Sequence, residues 1–421
     1  MGDSLERTLT RPAGGWSAWR SFLFVMGPGL VVMLADTDVG SIITAAQSGA
    51  QWGYRLLLLQ VLLMPVLFVV QELTVRLGVF TGKGHGELIR EQFGAGWAWL
   101  SVSSLGVATL GALVTEFSGV AGVGELFGVS RIVSLTLCVV LLLVVVLTGS
   151  YRRVERVAIL LGLFEFAFFV VAYEARPHAA DIAAGLIDLP LRNADYLYLV
   201  AANIGAVIMP WMIFYQQSAV ADKRLEARHY AFARWDTAVG SVVTQAVMAA
   251  VLIAAAATIG RLHTSTSLAT IGDVTKVLVP VLGADIGRTV FGLGTIGAGM
   301  VAAIVVSLAS AWGFGEVTGY RHSLEHHPLE APWFYGIYAA VVIGGAVVVA
   351  VVPDLVALNI GVEVMNALML PLVLGFLVLL AFKSLPPEHR PRGAYAWIVV
   401  AVSLLTAGLG VYGGLSGVHL F

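Results

Sequence analysis

Long apolar runs alternate with short polar stretches along nearly the whole chain. A helix that crosses a bilayer needs about 20 mainly apolar residues to span roughly 30 Å of hydrocarbon. By that measure eleven segments qualify, near 22–46, 55–78, 97–125, 132–149, 155–174, 196–219, 236–259, 285–315, 333–352, 355–382 and 395–417. The first is interrupted: its middle reads Ala35-Asp36-Thr37-Asp38-Val39-Gly40-Ser41, two carboxylates and a glycine where lipid-facing leucines would be expected. A charge at that depth costs about 2.5–3.5 kcal/mol on insertion scales, so it is kept for a purpose, and carboxylates point to a cation. The sixth segment is interrupted too. It runs Ala201-Ala202-Asn203-Ile204-Gly205-Ala206-Val207-Ile208-Met209-Pro210-Trp211, with a proline that removes a backbone bond and clashes with the preceding turn.

Two interrupted helices five spans apart are the sequence pointer to an inverted-repeat transporter, in which unwound backbone lines a central cavity and its freed carbonyls coordinate a cation. The predicted fold is therefore all-α and polytopic. It is a LeuT-like inverted repeat (5+5) with helices 1 and 6 broken and eleven transmembrane helices in one domain, 1–421. Within it, 1–20 forms a cytoplasmic tail, 21–175 the first repeat, 194–383 the second, and 394–421 an added eleventh helix.

Composition agrees with a membrane protein, at 58% hydrophobic and 12% charged residues with a mean hydropathy of +0.89. The net charge of -2 offers nothing to a nucleic acid, and none is expected as a partner. The single cysteine, Cys138, excludes a disulfide framework and a Cys-based zinc site and reads as a small packing residue. The polar start of the chain leads into a segment too long and too internally polar for a secretory signal. With that start inside, seventeen of the 24 Lys and Arg fall on cytoplasmic segments, among them Arg76, Lys83, Arg152, Arg153, Lys223, Arg234 and Lys383. The C-terminus then lies outside, and the expected setting is a plasma (inner) membrane, as a monomer.

The motifs carry a resemblance. Gly27-Pro28-Gly29, Asp38-Val39-Gly40-Ser41 and Gln47 to Tyr54 resemble the first helix of the NRAMP divalent-metal transporters, whose signature is Asp-Pro-Gly-Asn. Gln71-Glu72-Leu73 and Leu77 to Lys83 continue it, and Gly205 to Pro210 stands where that family has a Met-Pro-His motif. The pattern departs at Val39, Ser41 and Trp211, where the family has proline, asparagine and histidine. This altered set, with Gln216-Gln217 after it, resembles the NRAMP-related magnesium transporters, a branch thought to move magnesium and to accept manganese. The resemblance implies that Asp38 and Met209 stand at metal-ligand positions and Ala206 at one whose backbone carbonyl is a ligand.

Chemistry adds its own reason. Magnesium is hard, takes oxygen ligands and keeps several waters, which suits a carboxylate from Asp38, the Ser41 hydroxyl, freed carbonyls and a Gly40 that lets the backbone unwind. Met209 argues the other way, since a thioether favours manganese or iron; direct ligation and packing beside a hydrated ion both stay open. Asp36 reaches the same ion only if the backbone there is extended. All nine histidines fall in predicted loops, ends or tails, so none serves as a mid-membrane proton relay. The family's acidic position in span three is Leu113, although Glu116 is kept.

The expectation is thus a passive carrier that imports Mg2+, and Mn2+ with it, as partly hydrated ions by alternating access, uncoupled from protons, with no cofactor and no catalytic residue. The alternative is a proton-coupled Mn2+/Fe2+ symporter. An organic-substrate carrier of the same architecture is disfavoured by Asp38, and no nucleotide motif or converging aspartate dyad suggests an enzyme. Glu72 and Arg76 read as an intrahelical ion pair. Glu116 reads as a structural or proton-carrying group, Glu363 and Asn366 as a water contact at the cavity, and Glu165 and Asp236 as interhelical hydrogen-bond partners. His322, Glu325, His326 and His327 read as a solvated loop.

Overall fold

Asp38 restarts a helix rather than interrupting one. In the computed structural model, which describes residues 28–148, 150–260, 283–352 and 355–417, α1 (Pro28–Asp36) stops and α2 (Val39–Trp52) begins after two intervening residues. Asp38 sits between them in extended backbone, and its Oδ1 accepts the Ser41 N–H at 2.7 Å. A carboxylate in that position satisfies an orphan amide and meets the positive end of the helix dipole. The second break works through proline. α10 (Ala194–Val207) ends, Ile208 and Met209 are extended, and Pro210 opens α11 (Pro210–Asp222) at a position where its missing N–H costs nothing.

The remaining helices surround these two breaks. They are α3 (Leu57–Thr81), α4 (His85–Phe93), α5 (Ala95–Leu126), α6 (Arg131–Leu147), α7 (Tyr151–Gly162), α8 (Ala167–Glu174), α9 (Ala179–Ile187), α12 (Tyr230–Thr258), α13 (Ala284–Thr318), α14 (Pro332–Val351), α15 (Leu355–Lys383) and α16 (Gly393–Gly417). α12 packs on α1, α2 and α3; α13 packs on α5; α10 lies against α15 and α16. The start of α1 is tied down by Asp236 of α12, whose Oδ2 accepts the Gly29 and Leu30 amides at 3.0 and 3.2 Å.

Polarity is inverted relative to a water-soluble protein. Leu62, Ile132, Leu137, Val144, Leu160 and Leu404 are exposed while Asp36, Asp38, Glu116, Glu165 and Glu363 are buried. That arrangement suits a hydrocarbon solvent, and the protein is an all-α integral membrane protein.

Most predicted spans match helices to within a few residues. Two short helices were not anticipated, α4 and α9, because Gly84, Gly86 and the charges of the first and the shortness of the second read as loop. The fifth span is α7 and α8 joined by a 3-10 turn, Leu163–Phe166. The predicted tail 1–20, the opening of the first span with Gly27, and the loop holding Arg261 and Lys276 lie outside the described residues.

Close helix contact rests on glycine. A Cβ built on Gly205 would lie 1.8 Å from the backbone oxygen of Glu363 and 2.8 Å from the Ala367 nitrogen. Backbone cannot swing aside as a side chain can. Gly205→Ala is therefore expected to destabilise the protein by about 1–3 kcal/mol. A thermal melt in detergent checks this, and an unchanged midpoint would show that α10 and α15 separate freely.

Candidate metal centre

The two breaks meet each other. Ser41 Oγ, in the first turn of α2, donates to the Ala206 carbonyl at 2.9 Å, one residue before α10 ends. Asp38, Gly40 and Ser41 therefore lie against the end of α10 at Ala206; these residues and Met209 are all buried, with exposures of 3% or less where a side chain is present. Met209 is extended, and its Sδ accepts the Trp211 indole N–H at 3.2 Å. Asp38 Oδ1 is taken by the Ser41 amide, while Asp38 Oδ2 has no hydrogen-bond partner. Among the described residues no three His, Cys, Asp or Glu side chains converge as a ready-made cage.

More carboxylates surround that point than the first helix supplies. Glu116 of α5 accepts the Val39 amide at 3.2 Å through Oε2 and the Thr115 hydroxyl at 3.1 Å through Oε1. Glu363 of α15 accepts the Asn366 amide at 3.1 Å through Oε2. Asp36 ends α1 with neither carboxylate oxygen hydrogen-bonded, within electrostatic reach of Asp38, Glu363 and Glu165. Thr37 is a bend and Asp38 is extended, and this break leaves Asp36 in the same electrostatic neighbourhood as Asp38. None of these groups pairs with Lys or Arg among the described residues. Buried negative charge without a cationic partner is costly, so it is compensated by a bound cation or by protons.

Other sequence-predicted residues divide. Glu72 and Arg76 form the expected pair at 2.7 Å; Glu72 also receives the Tyr230 and Tyr395 hydroxyls, and Arg76 donates to the His389 carbonyl at 3.0 Å. This cluster ties α3, α12 and α16 together. Asp236 bridges helices as expected, and the buried Glu165 carboxylate lies beside the Thr37 side chain at the first break. In the histidine loop His326 Nδ1 lies 3.9 Å from Glu330, and His322 meets the Tyr320 carbonyl.

Three features escaped the sequence. His85 is not a loop histidine but fully buried at the start of α4, its Nδ1 2.9 Å from Gln217 Oε1, and burial pushes it down to about 4, which keeps it neutral at physiological pH. Glu316, at the end of α13, accepts the Gly86 amide at 2.8 Å and the Ser218 hydroxyl. The closely spaced Gly84 and Gly86 were the available signal, since a Cβ on Gly84 would lie 1.8 Å from Glu316 Oε1. Asn203 joins Ser48 at 2.8 Å and Gln60 at 2.6 Å, connecting α10, α2 and α3.

The family model "Natural resistance-associated macrophage protein-like" matches residues 29–416. The divalent metal cation transporter MntH 1 of Pseudomonas aeruginosa is 33% identical over 331 residues, covering 73% of this chain and 72% of its own. MntH of Klebsiella pneumoniae is 26% identical over 415 residues, covering 94% and 95%. Among solved structures, the Eremococcus coleocola manganese transporter in complex with an aromatic bis-isothiourea substituted compound superposes with a TM-score of 0.76 at 19% identity, over 98% of this chain and 90% of that one. MhsT in complex with L-phenylalanine gives 0.63 at 12%, over 93% and 97%. These two show the fold.

The relatives overturn the magnesium branch, and with it the uncoupled Mg2+ importer: they are divalent metal cation transporters of the MntH kind, and the matched metal carrier is a manganese transporter. The error has a physical source. Ser41 and Trp211 differ from the family pattern but leave the soft side chain of Met209 in place, and although no histidine lies at the break and Leu113 replaces an acidic position, the buried groups around the break include the carboxylates Asp36, Asp38, Glu116 and Glu363.

Proposed function

The chain belongs to the natural resistance-associated macrophage protein-like (Nramp) family of transporters, and on that premise we propose that it is a proton-coupled symporter for Mn2+, with Fe2+ as second cargo, working by alternating access. The observation that carries this is the meeting of the two breaks: Ser41 is bonded to the Ala206 carbonyl beside an Asp38 Oδ2 that accepts no hydrogen bond, and the buried Met209 opens the second break three residues on. A site mixing hard oxygens with one soft sulfur suits borderline first-row metals better than magnesium. In this reading Asp38, Ser41, the Ala206 carbonyl and Met209 hold the ion; Gly40, expected to let the backbone unwind, lies instead in the first turn of α2, where it leaves room beside Asp38. Carboxylates such as Glu116 provide groups that exchange protons without a histidine.

The reading extends to topology. The helical stretch Val39–Thr81 is 43 residues long, more than one crossing needs, so the 3-10 turn at Gly53–Leu56 is the corner between two crossings. With α6, and with the first and sixth crossings broken, this gives eleven crossings arranged as repeats 21–175 and 194–383 plus 394–421. The N-terminus lies in the cytoplasm and the C-terminus outside, in a plasma membrane, and the carrier acts as a monomer.

The test is uptake into proteoliposomes loaded with a metal-sensitive and a pH-sensitive dye under an inside-negative potential. Manganese uptake with simultaneous acidification of the lumen is expected. Manganese uptake at constant internal pH would remove the coupling, and magnesium uptake without manganese would remove the assigned cargo.

A further inference from the structure

Glu363 is 1% exposed and only half satisfied: Asn366 holds Oε2, and Oε1 has no hydrogen-bond partner. That free oxygen lies over Gly40. A Cβ built on Gly40 would be 2.2 Å from Glu363 Oε1 and 3.5 Å from Asp38 Oδ1, so the two carboxylates flank one small gap at the start of α2. The backbone oxygen of the same Glu363 presses on Gly205, next to the Ala206 carbonyl at the second break. One residue of α15 thus touches both breaks, its carboxylate at the first and its carbonyl at the second.

We propose that Glu363 is a direct ligand of the transported cation, supplying a second carboxylate opposite Asp38. The inference rests on the divalent-metal reading above and names a ligand that reading did not include. A buried carboxylate oxygen with no donor is costly to leave uncompensated. The Asn366 amide fixes the carboxyl group by its other oxygen, which aims Oε1 at the gap. A second carboxylate beside Asp38 adds a hard, charged oxygen ligand, which favours a divalent over a monovalent ion. The site thereby discriminates by charge as well as by the softness of Met209. Glycine at 40 follows from the same geometry, because any side chain there would occupy the place of Oε1.

The test is equilibrium binding of radioactive manganese to the purified full chain in detergent. Glu363→Gln keeps the volume and an oxygen to accept the Asn366 amide but deletes the charge. Binding weaker by about 10- to 100-fold is expected, with partial recovery in Glu363→Asp. Affinity unchanged in Glu363→Gln would overturn the proposal, since a residue serving only to pack against Asn366 does not need the charge. Should that variant fail to fold, the unmutated protein decides by anomalous scattering from manganese-soaked crystals. A peak within about 2.0–2.6 Å of a Glu363 oxygen, the range of hard-cation contacts, supports ligation; a peak held by Asp38 and Met209 with a water's width to Glu363 sinks it. Absence of saturable manganese binding in the unmutated chain would bring down the manganese reading itself, a failure distinguished by needing no substitution.

Discussion

Asp38→Asn is expected to eliminate manganese uptake while leaving the protein folded. The substitution separates two roles that one side chain performs. As the N-cap of α2, Asp38 Oδ1 accepts the Ser41 amide at 2.7 Å, and an asparagine oxygen does the same with little loss. As an ion ligand, it presents Oδ2, which has no partner within the protein and which asparagine replaces with an N–H donor that repels a cation. Removing one partner of a buried charge pair costs about 3 kcal/mol or more, on the order of 100-fold in affinity. The check is uptake in proteoliposomes beside a thermal melt of the same preparation. Uptake within a factor of a few of the unmutated protein, at unchanged stability, would take Asp38 out of the ion's path. Loss of uptake together with a collapsed melt would show that the Asp38 charge serves folding before it serves the ion.

The breaks were legible in the sequence because membrane helices are so uniformly apolar that Asp36, Asp38 and Pro210 stand out against them. What the residues at the breaks do locally was partly legible too. An aspartate three residues before a serine amide and a proline after an extended methionine are local chemistry, and the helices restart where those residues dictate. Contacts between distant segments were not. Ser41 with Ala206 came only through family resemblance, and nothing in the chain's periodicity places the Glu363 carboxylate over Gly40 or its carbonyl against Gly205. His85 shows the same limit, since its neighbours in sequence are polar while its neighbours in space are Gln217 and Phe214. The preference among metals was misjudged for a related reason. Two altered motif positions were visible and were given weight, but the carboxylates from α5 and α15 that complete the electrostatic environment are recognisable only once the helices are packed.

Gly40→Ala should preserve the fold and cut manganese transport by about 10- to 100-fold, the size of effect seen when the support around a metal site is disturbed. The contrast with Gly205→Ala carries the argument, because both glycines face Glu363 and differ in what they face. At Gly205 a new Cβ meets backbone atoms at 1.8 and 2.8 Å, and relief requires two helices to part. At Gly40 it meets Glu363 Oε1 at 2.2 Å, the far end of a side chain that can rotate away. The strain is therefore relieved locally, and the relief itself moves the carboxylate out of the gap beside Asp38. Stability and transport should respond in opposite proportion at the two positions, with a lowered melting temperature for Gly205→Ala and a near-normal melt with weak transport for Gly40→Ala. Full transport by Gly40→Ala would mean that the placement of Glu363 is immaterial to the ion, and that the gap between the carboxylates is packing space and not a path for the metal.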